Sequence, residues 1–425
     1  MILRDKELKL LEEDYKKPKS SLNFIFARKK LGKTTLINHY TKDKNTIYLP
    51  VFETLESLLI SRSLASISNF FKIKYRITGI NKFEDIFLFI AKQNIEAKIV
   101  IVLENLNIMQ KIDKTFLKRI YLIWNKHLKQ RNIQFIMSSS FYSSKKEDRM
   151  IFKKADNLIF LKSLSYKSIK ILLPKLEKKE ALLIYSVYGT HPYYLSFYDT
   201  SKSFYDNAKK DFLNPNSFLF SEGLNIIKNE LSDIITYSSI LYAIAKGNRK
   251  IGDIANFLSL KSSYLTRYLQ NLVDLMIIEK EIPINEDQNR SKFGRYDIED
   301  KYLKFWFSYI YANLTPNKND YLFVLNHIRN DLNGRLIHDG YKNHSLEIIK
   351  EDAEKFFAYK PLKIGRWWNN KNNEIDIVAY DNKNITFVDC VLKGKQDLDE
   401  AYMNLQEKSN DFETTLNKRY AIFTQ

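Results

Sequence analysis

The sequence predicts an α/β fold built on a parallel sheet with helices on both faces. Three observations predict it. Short β-branched runs recur between longer segments that carry apolar residues at helical spacing. One run, Lys98–Leu103 (KIVIVL), is almost wholly apolar, as a strand covered on both faces must be. The first run, Leu22–Ala27, leads straight into a basic, glycine-bearing loop and then a helical stretch, Thr34–Tyr40. Strand, loop and helix in that order are the context of a phosphate-binding site.

Taken in order, Met1–Tyr15 is charged and helix-like, with no signal-peptide core. Thr46–Val51 reads as a second strand, and Glu53–Phe71 and Phe83–Lys92 as helices. Lys98–Leu103 is the third strand, Lys114–Lys129 an amphipathic helix, Ile133–Ser138 the fourth strand and Asn157–Leu161 the last. Strands alternating with helices imply right-handed crossovers. Residues 1–165 are therefore expected to form one domain. Residues 166–231 show only helical patterns, broken by YGTHPYYL (Tyr188–Leu195). Residues 232–300 carry three helix-like pieces and a hairpin, and residues 301–335 an aromatic helical arm. Residues 336–425 return to mixed α/β, with strands at Glu374–Tyr380, Ile385–Val391 and Tyr420–Phe423.

The chain has 425 residues and a formal net charge of +18. Such a surplus suits a polyanionic partner such as DNA. It equally follows from a lysine- and asparagine-rich composition of the kind AT-rich coding produces, so both readings stand. The single cysteine, Cys390, cannot form an internal disulfide, which fits a reducing compartment. No apolar run approaches the roughly 18–20 residues that a membrane span needs. The expectation is a cytoplasmic protein with no membrane partner and a capacity for self-association.

The loop reads Ala27-Arg28-Lys29-Lys30-Leu31-Gly32-Lys33-Thr34-Thr35. Gly32 would permit close approach of backbone N–H groups to a triphosphate. Lys33 would reach the β/γ-phosphates and the Thr34 hydroxyl would ligate Mg²⁺. The whole stretch, Ala27 to Thr35, is the candidate ATP site. It departs from the usual pattern at Ala27, where glycine is normal. That matters only if the position needs φ > 0 or closer packing than a methyl permits. Glu104, at the end of the third strand, is the candidate magnesium acid. Asn105 follows it, and an amide cannot take a proton as a carboxylate does. Ser139, in the run Ser138-Ser139-Ser140, is a candidate to place a hydroxyl near the γ-phosphate.

Together these pieces resemble the archaeal ATPase family, within the STAND group of P-loop NTPases. GTHPYYL resembles the family's glycine–x–proline element, which implies that His191 and Pro192 lie near the nucleotide. RYDIEDKYLKFWFSYIY (Arg295–Tyr311) resembles the arm after the family's winged helix. GRWWNNKNNEIDIVAY (Gly365–Tyr380) resembles its C-terminal nuclease-like domain. The resemblance implies a P-loop NTPase sheet followed by a helical lid, a winged helix-turn-helix and a small α/β restriction-nuclease-like domain. It implies ATP and Mg²⁺ as cofactors. Glu104-Asn105 stands where the family has Asp-Glu, which touches hydrolysis more than binding.

Lys250–Phe257, a turn at Leu258–Leu260 and Lys261–Asp274 read as helix-turn-helix. In the second helix Leu265, Tyr268, Leu269, Leu272 and Val273 share one face. Ser262, Ser263, Thr266, Arg267 and Gln270 face away and are the candidate DNA contacts. Met276–Ile284 and Arg295–Ile298 would be the strands of a wing with NEDQNRSKFG at its tip, and Lys292 and Arg295 would meet phosphate. A winged helix serving only as a regulatory lever fits the same residues.

Glu374, Asp376, Asp389 and Lys393, with Glu347 on a preceding helix, resemble a PD-(D/E)xK nuclease constellation. Residues two apart on a strand share a face, so a working site would carry lysine where Val391 stands. Nuclease activity is therefore not the expectation. The combined reading is an ATP-binding switch associated with double-stranded DNA, with slow or no hydrolysis. Two others remain open: a DNA-binding regulator with a vestigial ATP site, and an ATP-gated, Mg²⁺-dependent nuclease.

Overall fold

A computed structural model describes residues 3–75, 77–287, 291–313, 318–331, 334, 336–392, 394 and 397–424. The chain divides into two compact units: Met1–Lys162 with Gln270–Ile277, and Ser163–Leu269 with Ile278–Gln425.

The first unit holds five strands: β1 (Ser21–Phe26), β2 (Thr46–Pro50), β3 (Ile99–Glu104), β4 (Ile133–Ser139) and β5 (Asn157–Phe160). All pair in parallel, in the order β2-β3-β4-β1-β5. This is the parallel sheet with helices on both faces that the sequence predicts. Period-2 alternation sorts the side chains to two cores. Phe24, Phe26, Ile101, Leu103, Phe135 and Met137 pack with Leu59, Phe87 and Phe116. Those three come from the helices Glu56–Phe71, Asp85–Ala91 and Phe116–Ile123. Ile25, Ala27, Val100, Val102 and Ile136 pack with Leu11, Leu36 and Ile37, from the helices Asp5–Lys16 and Lys33–Thr41. Parallel pairing places the C-terminal ends of β1, β3 and β4 along one sheet edge, and the phosphate-loop candidates lie there.

The second unit begins with helices between Lys167 and Lys228, where sequence shows only helical patterns. Three helices follow, Ile234–Ala245, Ile251–Leu258 and Ser262–Asp274, the last ending in the first unit's segment. An antiparallel ribbon comes next, β6 (Ile278–Glu281) with β7 (Arg295–Ile298). The aromatic segment from Lys301 to Ile310 is helical and buries Tyr302, Phe305 and Trp306. Glycine is required beside it. A Cβ on Gly223 would lie 2.1 Å from the Trp306 indole, which is fully buried and donates its N–H to Phe220 O at 2.8 Å. Gly223→Ala is expected to destabilise this unit by about 3 kcal/mol, the upper end for overpacking. A lower urea midpoint would register it, and an unchanged midpoint would show that the indole can move.

A four-stranded sheet closes the unit: β8 (Lys363–Trp368), β9 (Glu374–Tyr380), β10 (Asn384–Val391) and β11 (Asn417–Thr424), in the order β11-β10-β9-β8. Only β10 and β11 pair in parallel. Strand β8 is an addition to the sequence reading. Two steps on β8, Gly365 to Trp367, match three on β9, Val378 to Ile375. The extra residue is a bulge, which reverses the side-chain alternation of β9 at Asp376. Among the described residues no helix is long and apolar enough to cross a membrane.

Candidate functional site

The loop after β1 is held by its ends. Ala27 is fully buried and its N–H donates to Ser139 O at 3.1 Å. Positive φ in the loop falls at Lys30 (71°) and Gly32 (84°), not at Ala27. The alanine that departs from the usual pattern therefore pays no conformational penalty, and its methyl joins the core. Arg28 is 2% exposed and its carbonyl accepts from the N–H of Leu31 at 3.3 Å. Lys29 and Lys30 are exposed. Leu31 is buried, and its carbonyl accepts from the Arg4 guanidinium at 3.2 Å. A methyl on Gly32 would meet nothing within 4 Å, so its constraint is the left-handed backbone rather than crowding. The helix Lys33–Thr41 starts at the next residue, with Leu36 N–H donating to Gly32 O at 2.9 Å. The orphan N–H groups of its first turn make this end electropositive. Lys33 is 8% exposed, while Thr34 and Thr35 face outward.

Glu104 ends β3 and is 5% exposed. The Thr34 hydroxyl donates to its Oε1 and the Tyr48 hydroxyl to its Oε2. Residues seventy positions apart thus meet at the helix N-terminus. Asn105 has φ 59° and ψ 48°, left-handed values that asparagine tolerates. Its Nδ2 donates to Val51 O at 2.9 Å. One amide N–H thereby ties the ends of β2 and β3 together.

Ser139 requires a correction. Its hydroxyl donates to Phe141 O at 2.8 Å and lies 3.4 Å from the Asn107 side chain. Alternation along β4 puts Ser138, with Ile136, on the face of the loop helix, and Ser139 on the other, with Met137. The Ser138 and Ser140 hydroxyls are buried and have no partner among the described residues. The one-residue difference between Ser138 and Ser139 is a question of strand phase, which a run of three serines conceals. Tyr48 was the other omission, since an alternating edge strand gives no sign that one tyrosine aims at an acid.

The remaining candidates, apart from Gln270, lie in the second unit. The His191 Nδ1 accepts from the Tyr193 N–H at 3.2 Å, capping the short helix Pro192–Leu195, and Pro192 occupies the first helical position. In the helix Ser262–Asp274, Leu265, Tyr268, Leu269 and Leu272 are buried, Ser262 is half-buried, and Ser263, Thr266, Arg267 and Gln270 are exposed. Gln270 has a local use, donating to Asp274 Oδ1 at 2.8 Å.

The nuclease-like acids each have a partner within the protein, and Asp376 and Asp389 are neighbours. Glu374 accepts from Arg295 at 2.6 Å, and that guanidinium also stacks 4.5 Å from the Trp368 ring. Arg295 is therefore engaged within the protein rather than offered to phosphate. Asp376 pairs with Lys342 at 2.7 Å and accepts from Cys390 N–H at 3.0 Å. Asp389 pairs with Lys408 at 2.9 Å and accepts from Asp376 N–H at 3.2 Å. Lys342 and Lys408 belong to different helices, Ile337–Glu351 and Leu398–Ser409. The bulge in β9 turns the Asp376 side chain away from the side that alternation assigns it, toward Lys342. Glu347 stands five residues beyond Lys342, about 140° around the helix. It accepts from the Tyr185 hydroxyl and the Tyr166 N–H instead. Burial pushes the Asp376 and Glu347 carboxyls above their usual range. Lys393 lies outside the described residues, as do 288–290 of the expected wing tip. Among the described residues no group of three or more His, Cys, Asp or Glu is placed to hold a metal.

The ribbon β6–β7 is fastened to the terminal sheet by charge. Arg249 pairs with Glu281 at 2.7 Å and Asp297 at 3.2 Å, and Lys304 pairs with Asp297 at 2.9 Å. Arg366 of β8 reaches Glu281 at 3.4 Å, and Trp368 donates its indole N–H to Phe293 O at 2.8 Å.

The chain is 31% identical over 436 residues to the uncharacterized protein MJECL04 of Methanocaldococcus jannaschii, covering 99% of this chain and 94% of that one. The chain belongs to that protein's family. Within the family's span, residues 306–402 match the model DUF234, described as archaeal and bacterial proteins of unknown function. Among solved structures, Cdc6p of Pyrobaculum aerophilum is 14% identical, with a TM-score of 0.34, over 76% of this chain and 94% of that chain. A STAND protein with a tetratricopeptide repeat sensor, from Pyrococcus horikoshii, is 12% identical with a TM-score of 0.34, over 84% of this chain and 51% of that one. Likenesses of that size describe partial overlap of fold and nothing finer.

Proposed function

We propose that this protein is an ATP-binding switch of the P-loop class. The observation that carries the reading is the meeting of Thr34 with Glu104 at the N-terminus of a helix entered through left-handed Gly32. An anion fits that end of a helix by charge, because the N–H groups of the first turn have no intrahelical carbonyl to meet. The open space at Gly32 suits close approach of phosphate, and the Ser138 and Ser140 hydroxyls, without a partner among the described residues, suit a polar ligand. Lys33 would meet the β/γ-phosphates, and Thr34 with Glu104 would hold Mg²⁺. The metal, when bound, would supply charge neutralisation for the triphosphate. With Asn105 tied to Val51, no carboxylate follows Glu104 to polarise water, so slow turnover or none is expected.

Calorimetric titration of the full chain with ATP and Mg²⁺ tests the reading. Saturable binding at one site is expected, and heat indistinguishable from dilution would overturn it.

Double-stranded DNA is the proposed macromolecular partner, on the net charge of +18 and the exposed Ser263, Thr266 and Arg267 of a winged-helix-like segment. Affinity that falls steeply with salt, and falls further in Arg267→Ala, is the expected result. Salt-insensitive or absent binding would leave the ATP switch without DNA.

A further inference from the structure

The Glu104 carboxylate is gripped from two sides. Thr34 donates to Oε1 and Tyr48 to Oε2. Tyr48 belongs to β2, where it pairs in register with Val102, and Pro50 pairs with Glu104. Its ring is half-buried. A phenol carries its proton at neutral pH, so Tyr48 is the donor in this bond. The function proposed above employs Thr34 and Glu104 and gives Tyr48 no part.

We propose that Tyr48 is a positioning residue for the metal side of the loop, the first member of a relay Tyr48–Glu104–Thr34. A hydroxyl has one proton and two lone pairs. Once the Thr34 proton is committed to Glu104 Oε1, the Thr34 lone pairs are the part left to offer a divalent cation. That commitment holds only while the carboxylate keeps its orientation. Thr34 alone leaves a carboxylate free to swing about its side-chain bonds, whereas a second donor on Oε2 fixes its plane. Tyr48 supplies that donor from a strand, a stiffer support than a loop. Groups that orient a ligand in this way typically change metal affinity 10–100-fold when removed. Tyr48 makes no direct contact with nucleotide or metal in this scheme, so its effect must appear only through magnesium.

This inference rests on the ATP reading of the loop, and the test separates the two. ATP binding to the full chain is titrated in Mg²⁺ and, separately, in excess EDTA. Tyr48→Phe keeps the ring and removes the donor. It is expected to weaken binding by roughly tenfold or more in Mg²⁺ and to leave binding in EDTA nearly unchanged. Thr34→Val, at an exposed position, breaks the next link and is expected to give the same magnesium-specific loss. The double variant is expected to be little worse than the weaker-binding single one, because members of one relay are not additive. Equal losses with and without Mg²⁺ would mark Tyr48 as merely structural and overturn the relay. So would no loss, or additive losses in the double variant. If the unaltered chain binds no ATP, the loop reading falls and takes the relay with it.

Discussion

Lys33→Ala is expected to remove the thermal stabilisation that Mg-ATP gives the protein. Lys33 is the first residue of the helix that follows Gly32, and at 8% exposure its side chain lies against the protein rather than in solvent. An ammonium held there would meet a triphosphate at short range and low dielectric. Truncating one partner of such a desolvated pair costs about 2–5 kcal/mol, or roughly thirty-fold to a few thousand-fold in affinity. A stabilisation that grows with the logarithm of ligand over dissociation constant then vanishes at ordinary ATP concentrations. The nucleotide-free melting curve of the variant serves as the reference from which the ATP-induced shift is read. Differential scanning fluorimetry over an ATP series measures that shift. An undiminished ATP response in the variant would mean that the nucleotide, if bound, sits elsewhere.

Asp297→Asn is expected to lower the melting midpoint of the second unit by roughly 6–12 °C. Asp297 stands between Arg249 and Lys304, at 3.2 and 2.9 Å, with a side chain 14% exposed. Burial alone would raise its carboxyl; Lys304 and Arg249 outweigh that and hold it well below the usual carboxylate range. Breaking a buried pair from one side costs about 3–5 kcal/mol, and the residual exposure of Asp297 favours the lower figure. For a unit of this size about 3 kcal/mol corresponds to that temperature shift. The same depressed value sets a pH dependence. Its contribution is complete above the unfolded carboxyl value of about 3.9 and drains away as pH falls toward the folded one. Stability measured from pH 6 to pH 2 should therefore drop below about pH 4, with a shallower drop in the variant. Trp306, Trp367 and Trp368 all lie in this unit and make fluorescence a suitable probe. Equal acid slopes in both proteins would show that Asp297 is not the linked group.

The first sheet was legible because its central strands β1, β3 and β4 are short, apolar and buried on both faces. The loop, Lys33, Thr34 and Glu104 were legible because strand–loop–helix order places them at one edge. What stayed hidden was local backbone geometry. The harmlessness of Ala27 depends on a φ that no composition reveals. Asn105 reads as a lost catalytic group, yet its left-handed backbone and its bond to Val51 give it another task. Strand β8, KIGRWW, was missed because glycine and arginine interrupt any apolar alternation. Its bulged partner then turned the Asp376 side chain toward Lys342, so neighbouring acids serve different lysines. Arg295 and Glu374, one assigned to DNA and the other to metal, turn out to be each other's counter-ion.

The chain's one thiol belongs to Cys390, which is 2% exposed and pushed up to about 12 by burial and then by Asp376. Such a sulfur is a poor nucleophile toward maleimides and iodoacetamides at neutral pH. The native chain is thus a silent background for labelling chemistry. A cysteine placed at an exposed position such as Lys30 or Thr266 would take up a fluorophore alone, with no residue to delete beforehand.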